Sequence, residues 1–188
     1  MNLVERVKNI IMQPKSEWPV IAGESGDAGY LFPNYVCIVA AIPVICSFIG
    51  TSIIGIGTYR IGIFTGLLHA VVVYLLTLAG VFIVAYVIDA LAPTFGGQKN
   101  LGNAMRVSAY APTAAWLAGV FSIIPMLSIL SLLGLYSLYL LHTGIASLMR
   151  PAAGKELIYT IVVVIAVAVI QVIIFFVILR VLFGAMLY

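Results

Sequence analysis

The stretch IGIFTGLLHAVVVYLLTLAGVFIVAYVIDAL, residues 61–91, decides the fold. It holds no Lys, Arg or Glu, and its one acid, Asp89, stands beside its end. A helix needs about 20 apolar residues to cross about 30 Å of hydrocarbon, so this run spans a bilayer with residues left over for tilt or overhang. β-branched residues are frequent here and again in IVVVIAVAV, residues 161–169. In water such runs would read as strands. In hydrocarbon an unpaired strand edge leaves its backbone unsatisfied, so both read as helix.

The rest of the chain has the same character. Of its 188 residues 64% are apolar and 8% charged, against about 45–50% and about 25% in soluble domains. No core of ordinary size hides so much apolar surface from water, so lipid is the solvent for most of the chain. The composition predicts an all-α, polytopic membrane protein with a five-helix transmembrane bundle over residues 31–188. The spans run from about Leu31 to Ile56, Ile61 to Leu91, Ala104 to Ile124, Met126 to Met149 and Leu157 to Phe183. The third is the most polar, with Arg106, Ser108, Tyr110 and Pro112; with the fourth it also reads as a re-entrant hairpin turning at Pro125.

Residues 1–30 form a separate amino-terminal segment. Leu3, Val7, Ile10 and Ile11 fall on one side of a helix and Glu5, Arg6, Lys8 and Asn9 on the other, the pattern of an amphipathic helix lying in the membrane interface. Its charges and lack of an apolar run do not make a cleaved signal peptide. From Gln13 to Tyr30, Pro14, Pro19 and three glycines predict an irregular path with Trp18 at headgroup depth. Cationic residues in short connections mark the cytoplasmic side. With five spans Arg6, Lys8, Lys15, Lys99, Arg106, Arg150 and Lys155 share the amino-terminal side, while Arg60 and Arg180 lie opposite. That distribution puts the amino terminus in the cytoplasm and the carboxyl terminus outside.

No His-Glu-x-x-His, Gly-x-Ser-x-Gly, phosphate-binding loop or Cys-x-x-Cys is present, and Gly96-Gly97-Gln98-Lys99 lacks the spacing that cradles phosphate. Cys37 and Cys46 fall on opposite faces of one helix, too far apart to bridge. These absences predict no catalytic residue, metal site or cofactor, and a net charge of +3 gives no footprint for nucleic acid. What remain are isolated polar groups. Asp89 reads either as an interfacial acid that is solvated or bonded to Lys99 or Arg106, or as a site for a proton, ion or partner. His69 and His142 lie at opposite depths and read as packing residues. Gln171, in mid-span, is predicted to hydrogen-bond to another helix. Gly62, Gly66 and Ala70, and Ala115 with Gly119, form small-residue ridges for close helix packing. Tyr136, Tyr139 and Thr143 share one face, as packing or as a cleft wall. The candidate functional surface comprises Asp89, Pro93, Gly96, Gly97, Lys99, Arg106, Tyr110, Pro112 and His142.

The run Ala40-Ala-Ile-Pro43-Val-Ile-Cys46-Ser-Phe-Ile-Gly50-Thr51, with Asp89-Ala-Leu-Ala-Pro93-Thr-Phe-Gly96-Gly97 and Ala109-Tyr110-Ala-Pro112, resembles the bacterial branch of the Ypt-interacting-protein (Yip) domain family over nearly the whole chain. The resemblance implies a bacterial inner-membrane protein with five transmembrane helices and a cytoplasmic amino terminus. Eukaryotic members engage prenylated Rab-type GTPases. Their acidic Leu-Tyr-Gly-Pro signature is echoed in part by Asp27, Tyr30 and Pro33, and their Gly-Tyr pair reads Ala109-Tyr110 here.

The expected role is a non-enzymatic protein that organises the membrane or binds membrane proteins, its partners being lipids, other membrane proteins or a second copy of itself. The alternative is a small transporter, channel or lipid-moving protein with a cleft around Asp89, Tyr110 and His142. For the orientation, a cysteine replacing Asn2 is expected to be shielded from an impermeant thiol reagent in intact cells, and one appended after Tyr188 to react. The reverse labelling pattern overturns it.

Overall fold

The computed structural model describes residues 2–55 and 60–184. Ile56, where the sequence places the end of the first span, and Tyr188, whose side of the membrane it predicts, lie outside them. Among the described residues every regular element is helical.

Helix α1, Leu3–Met12, is capped by Asn2, whose side chain accepts the N–H groups of Val4 at 3.1 Å and Glu5 at 3.4 Å. A second short helix, α2, covers Pro14–Ala22 with Pro14 in its first turn, where proline's missing N–H costs nothing. This corrects the irregular path predicted for residues 13–30. Trp18 is completely buried rather than lodged among headgroups. Leu3, Val7, Ile10 and Ile11, the face predicted to meet lipid, pack against the protein's own core.

Among the described residues four helices are long and apolar enough to cross a membrane: α3, Ala28–Ile54; α4, Ile63–Phe95; α7, Pro125–Met149; and α8, of which Glu156–Phe176 is the span. Helix α3 takes in Pro33 and Pro43, with a wider π turn at Phe32–Val36 and another at Ile49–Ile54. Helix α4 stops at a proline and two glycines. Pro93 sits in its last turn, Gly96 adopts a left-handed φ of 77°, and the Gly97 N–H reaches back to the Ala92 carbonyl at 2.9 Å.

The third predicted span is broken. Its pieces are α5, Leu101–Tyr110, and α6, Thr113–Ala118, which tightens into a 3₁₀ turn over Gly119–Ile123. Pro112 is the cause, because it cannot donate to the helix and disfavours helical geometry before it. The groups at the break are satisfied elsewhere. Thr113 Oγ1 donates to the Tyr110 carbonyl at 2.6 Å, and the Ala115 N–H donates to Ser137 Oγ at 2.8 Å. The broken segment still runs beside α3: a Cβ on Gly119 would stand 2.8 Å from Pro43 Cα, and Gly50 lies against the Ser122 carbonyl.

The two ends of the bundle pack differently. On the amino-terminal side, Ala85, Ile88 and Ala92 of α4, Tyr110 of α5, Leu140 and Ile145 of α7, and Tyr159 and Val163 of α8 are completely buried. Hydroxyls stitch this half together by donating to helix carbonyls: Tyr74 to Cys37 at 2.9 Å, Ser108 to Val81, and Tyr159 to Ile88. On the far side large apolar residues such as Phe64, Met126, Ile129 and Phe175 are exposed, as a lipid-facing surface should be. Trp18→Ala empties a filled site and is expected to cost about 3–5 kcal/mol, read from denaturant unfolding in mild detergent. Phe64→Ala is expected to stay within about 0.5 kcal/mol of the parent.

Candidate functional site

Two features stand out: a polar clasp holding the amino-terminal hairpin, and a cavity in the far half of the bundle. The clasp is centred on Arg6, on the inner side of α1. Its guanidinium is paired with Glu17 of α2 and Glu24, with side-chain exposures of 6%, 11% and 21% respectively. Tyr110 donates to the second oxygen of Glu24 at 3.2 Å, and Arg6 lies 5.8 Å from the centre of the Tyr110 ring, within cation–π range. Tyr35 packs against Tyr110 with ring centres 4.4 Å apart and the rings tilted by 60°, and it donates to Thr113 Oγ1 at 2.7 Å. Arg106 donates to the Glu24 carbonyl and to Asn103, which in turn donates to the Leu148 carbonyl at 2.9 Å. Further along the hairpin the Trp18 indole donates to Thr143 at 3.0 Å, and the Tyr136 hydroxyl to the Ile11 carbonyl at 3.0 Å.

The candidate surface predicted from sequence divides among separate places. Pro93, Gly96 and Gly97 form the end of α4 and dock the loop after α7, since a Cβ on Gly96 would stand 2.8 Å from Ala152 Cβ and one on Gly97 2.6 Å from the Met149 carbonyl oxygen. Tyr110 and Arg106 belong to the clasp. His142 Nδ1 lies 3.1 Å from Thr160 Oγ1, a packing role. Lys99 is exposed. Asp89 forms no ion pair with Lys99 or Arg106 among the described residues, which corrects the predicted pairing; one of its oxygens is buried without a hydrogen-bond partner there. Residues 96–100 lead from the end of α4 into α5, where Asn100 caps the helix by accepting the Asn103 N–H at 2.9 Å.

The cavity measures about 860 Å³ and lies between α3, α4, α6, α7 and α8. Its wall on α4 runs from His69 to Val84, about 22 Å of helix at about 1.5 Å per residue. Its long axis therefore follows the helices across most of the roughly 30 Å of hydrocarbon. The completely buried residues Ala85, Ile88, Tyr110, Leu140 and Val163 make its floor on the amino-terminal side solid. Of the predicted surface only Pro112 lines it, so the cleft exists but is not built around Asp89, Tyr110 and His142. Polar groups in the wall are few. Thr77 donates to the Val73 carbonyl at 2.8 Å, Ser108 to that of Val81, and Ser137 accepts from Ala115. His69 and Gln171 also line the cavity, and neither has a hydrogen-bond partner among the described residues. The interhelical bond predicted for Gln171 is therefore not made.

Sequence reasoning missed the clasp because Arg6, Glu17 and Glu24 are far apart in pattern and read individually as solvated charges. The one available signal was Pro14, a favoured first residue of a helix. Arg6→Met leaves two carboxylates facing each other, and breaking a buried ion pair costs about 3–5 kcal/mol. The hairpin is expected to undock, seen in a Trp116→Phe background as a red shift of Trp18 fluorescence with new proteolysis between Gly23 and Gly26. Adding Glu17→Gln and Glu24→Gln to Arg6→Met is expected to restore docking.

Residues 8–184 match the model of the Yip1 domain. The chain is similar to the inner membrane protein YohC of Escherichia coli strain K12 and of strain O6:H1 CFT073, at 33% identity over 129 residues in each. Each match covers 66% of this chain and 66% of the relative, just under two thirds of the relative's length. No solved structure matches the chain. The Yip1 match runs from within α1 to the last described turn of α8, taking in the cavity and the clasp's Glu17, Glu24, Tyr35, Arg106 and Tyr110 but not Arg6, and the chain belongs to the Yip1 domain family.

Proposed function

We propose that this protein is a non-enzymatic receptor in the bacterial inner membrane, amino terminus in the cytoplasm, that takes a hydrophobic molecule out of the bilayer and holds it in the cavity. The observation that carries this reading is the cavity of about 860 Å³ with apolar walls. Pockets of about 300–1,000 Å³ hold one drug-sized ligand, and apolar cavities stay dry and accept apolar guests. Hydrocarbon surrounds these spans, so the molecules that reach the cavity are those dissolved in lipid. The solid floor argues for a one-sided receptor over a channel. The inner-membrane location is supported by the printed name of the relatives.

Organising the membrane by self-association or by binding other membrane proteins was the broader expectation, motivated by small-residue ridges. Gly66 and Gly119 of those ridges are used inside the subunit, whereas a Cβ on Gly62 would meet nothing within 4 Å. A Cβ on Gly66 would run into Ser52 and Phe48, one on Gly119 into Pro43, and one on Gly134 would stand 2.9 Å from Ala115 Cα.

The test is purification in native lipid followed by mass spectrometry. The parent protein is expected to carry a lipid or small molecule in stoichiometric amount. Gly80→Leu is expected to lose it with the fold intact, because a Cβ at Gly80 meets only Ile174 Cδ1, at 4.0 Å, and the longer side chain projects into the cavity. A stoichiometric protein partner with no bound small molecule overturns this reading in favour of a scaffold.

A further inference from the structure

The charge pattern of the cavity identifies what it accepts. No Asp, Glu, Lys or Arg lines it. A phosphate, carboxylate or ammonium head drawn inside would lose its hydration with no counter-charge to replace it, at a cost of several kcal/mol. Charged lipid heads are therefore kept at the mouth, and whatever fills the interior is neutral.

The depth of the polar groups adds a second constraint. Helices α4 and α8 pack so that Gly80 faces Ile174. Gln171, three residues before Ile174 on a helix running the other way, then lies close to the level of Val84, beside the solid floor. His69 is 11 residues from Gly80 toward the other end of α4, about 16 Å away along the helix at about 1.5 Å per residue. Thr77, Ser108 and Ser137 already have protein partners. At the floor that leaves the amide of Gln171, a residue that lines the cavity and is otherwise exposed on the spans, with two donors and an acceptor. An amide without a partner in an apolar medium costs free energy that a ligand oxygen can recover.

Resting on the receptor reading, we infer that the occupant is a neutral single-chain lipid bearing an uncharged hydrogen-bonding group, an alcohol or carbonyl, which enters first and binds Gln171, with its chain extending past His69 to the mouth. The length of the cavity along α4, about 22 Å from His69 to Val84, matches a chain laid parallel to the helices, and the solid floor places its entry on the side of the membrane opposite the amino terminus.

The experiment uses the full chain in phosphatidylcholine nanodiscs, labelled with a photoactivatable hexadecanol analogue. Unlabelled hexadecanol, hexadecyl sulfate and hexadecane serve as competitors, and the labelled peptides are found by mass spectrometry. Labelling is expected within residues lining the cavity and to be abolished by Gly80→Leu. Hexadecanol is expected to compete at least tenfold better than hexadecane, a difference of about 1.4 kcal/mol, and hexadecyl sulfate worse than either. In Gln171→Leu the advantage of hexadecanol over hexadecane is expected to vanish while hexadecane competes as before. If hexadecane and hexadecanol compete equally in the parent, or the sulfate competes best, or Gln171→Leu weakens both alike, the ligand class is wrong and the receptor reading stands. If no probe labels the cavity above the Gly80→Leu background, the receptor reading itself fails.

Discussion

The buried Arg6 is the interaction on which the amino-terminal half of this protein depends. A guanidinium on an otherwise apolar helix face can be removed from water only if its donors meet acceptors of opposite charge, and Glu17 and Glu24 supply them from the following helix and loop. That requirement folds α1 back on α2 and sets the hairpin's position. With Arg6 satisfied, Glu24 is placed to accept from Tyr110 and, through its backbone, from Arg106. Trp18 is carried into the space left by Gly144, where a Cβ would stand 2.7 Å from the ring. A segment that composition alone would leave at the membrane surface becomes part of the core.

Two halves with different packing follow. Near the clasp, tyrosine, serine and asparagine side chains donate to carbonyls of neighbouring helices, some within a helix and some, such as those of Leu148 and Ile11, in its last turn. Such bonds hold spans together in a medium where the hydrophobic effect between helices is absent. Away from the clasp these cross-links thin out, α7 runs as an extended 3₁₀ stretch over Pro125–Leu135, and the helices part around the cavity. Long 3₁₀ segments are uncommon and often mark functional regions; this one contributes Gly134 and Leu135 to the cavity wall. A rigid end that positions the helices and an open end that accommodates a guest divide one bundle between stability and binding.

The membrane spans were legible because a single physical demand, hydrogen-bonded backbone in hydrocarbon, leaves helix as the answer wherever the apolar run is long enough. The runs behind α3, α4, α7 and α8 needed nothing more. The third span was legible as apolar and misread as continuous, although Pro112 was visible in it, because whether a proline kinks or breaks a helix depends on what catches the freed groups. Here Ser137 and Thr113 catch them. His142, which the sequence offers both as a packing residue and as part of the candidate surface, lies 3.1 Å from Thr160 Oγ1. The bond to another helix predicted for Gln171, and the pairing with Lys99 or Arg106 that was one reading of Asp89, are not made among the described residues, since a partner across helices is a property of rotation and depth that apolar periodicity does not encode.

By itself the amino-acid sequence determined that the chain is helical and membrane-embedded, with long apolar runs that read as five spans, and its motifs placed it beside the Yip proteins. Those conclusions follow from local composition, which hydrocarbon reads residue by residue. Only the tertiary structure decided that the amino-terminal hairpin is docked, that Arg6 is its anchor, and that His69 and Gln171 open into one cavity while Asp89, Tyr110 and His142 do not. The reason is that helix rotation and register are set by pairwise packing, glycine against backbone and hydroxyl against carbonyl, between residues as much as 125 positions apart in the chain, as with Trp18 and Thr143.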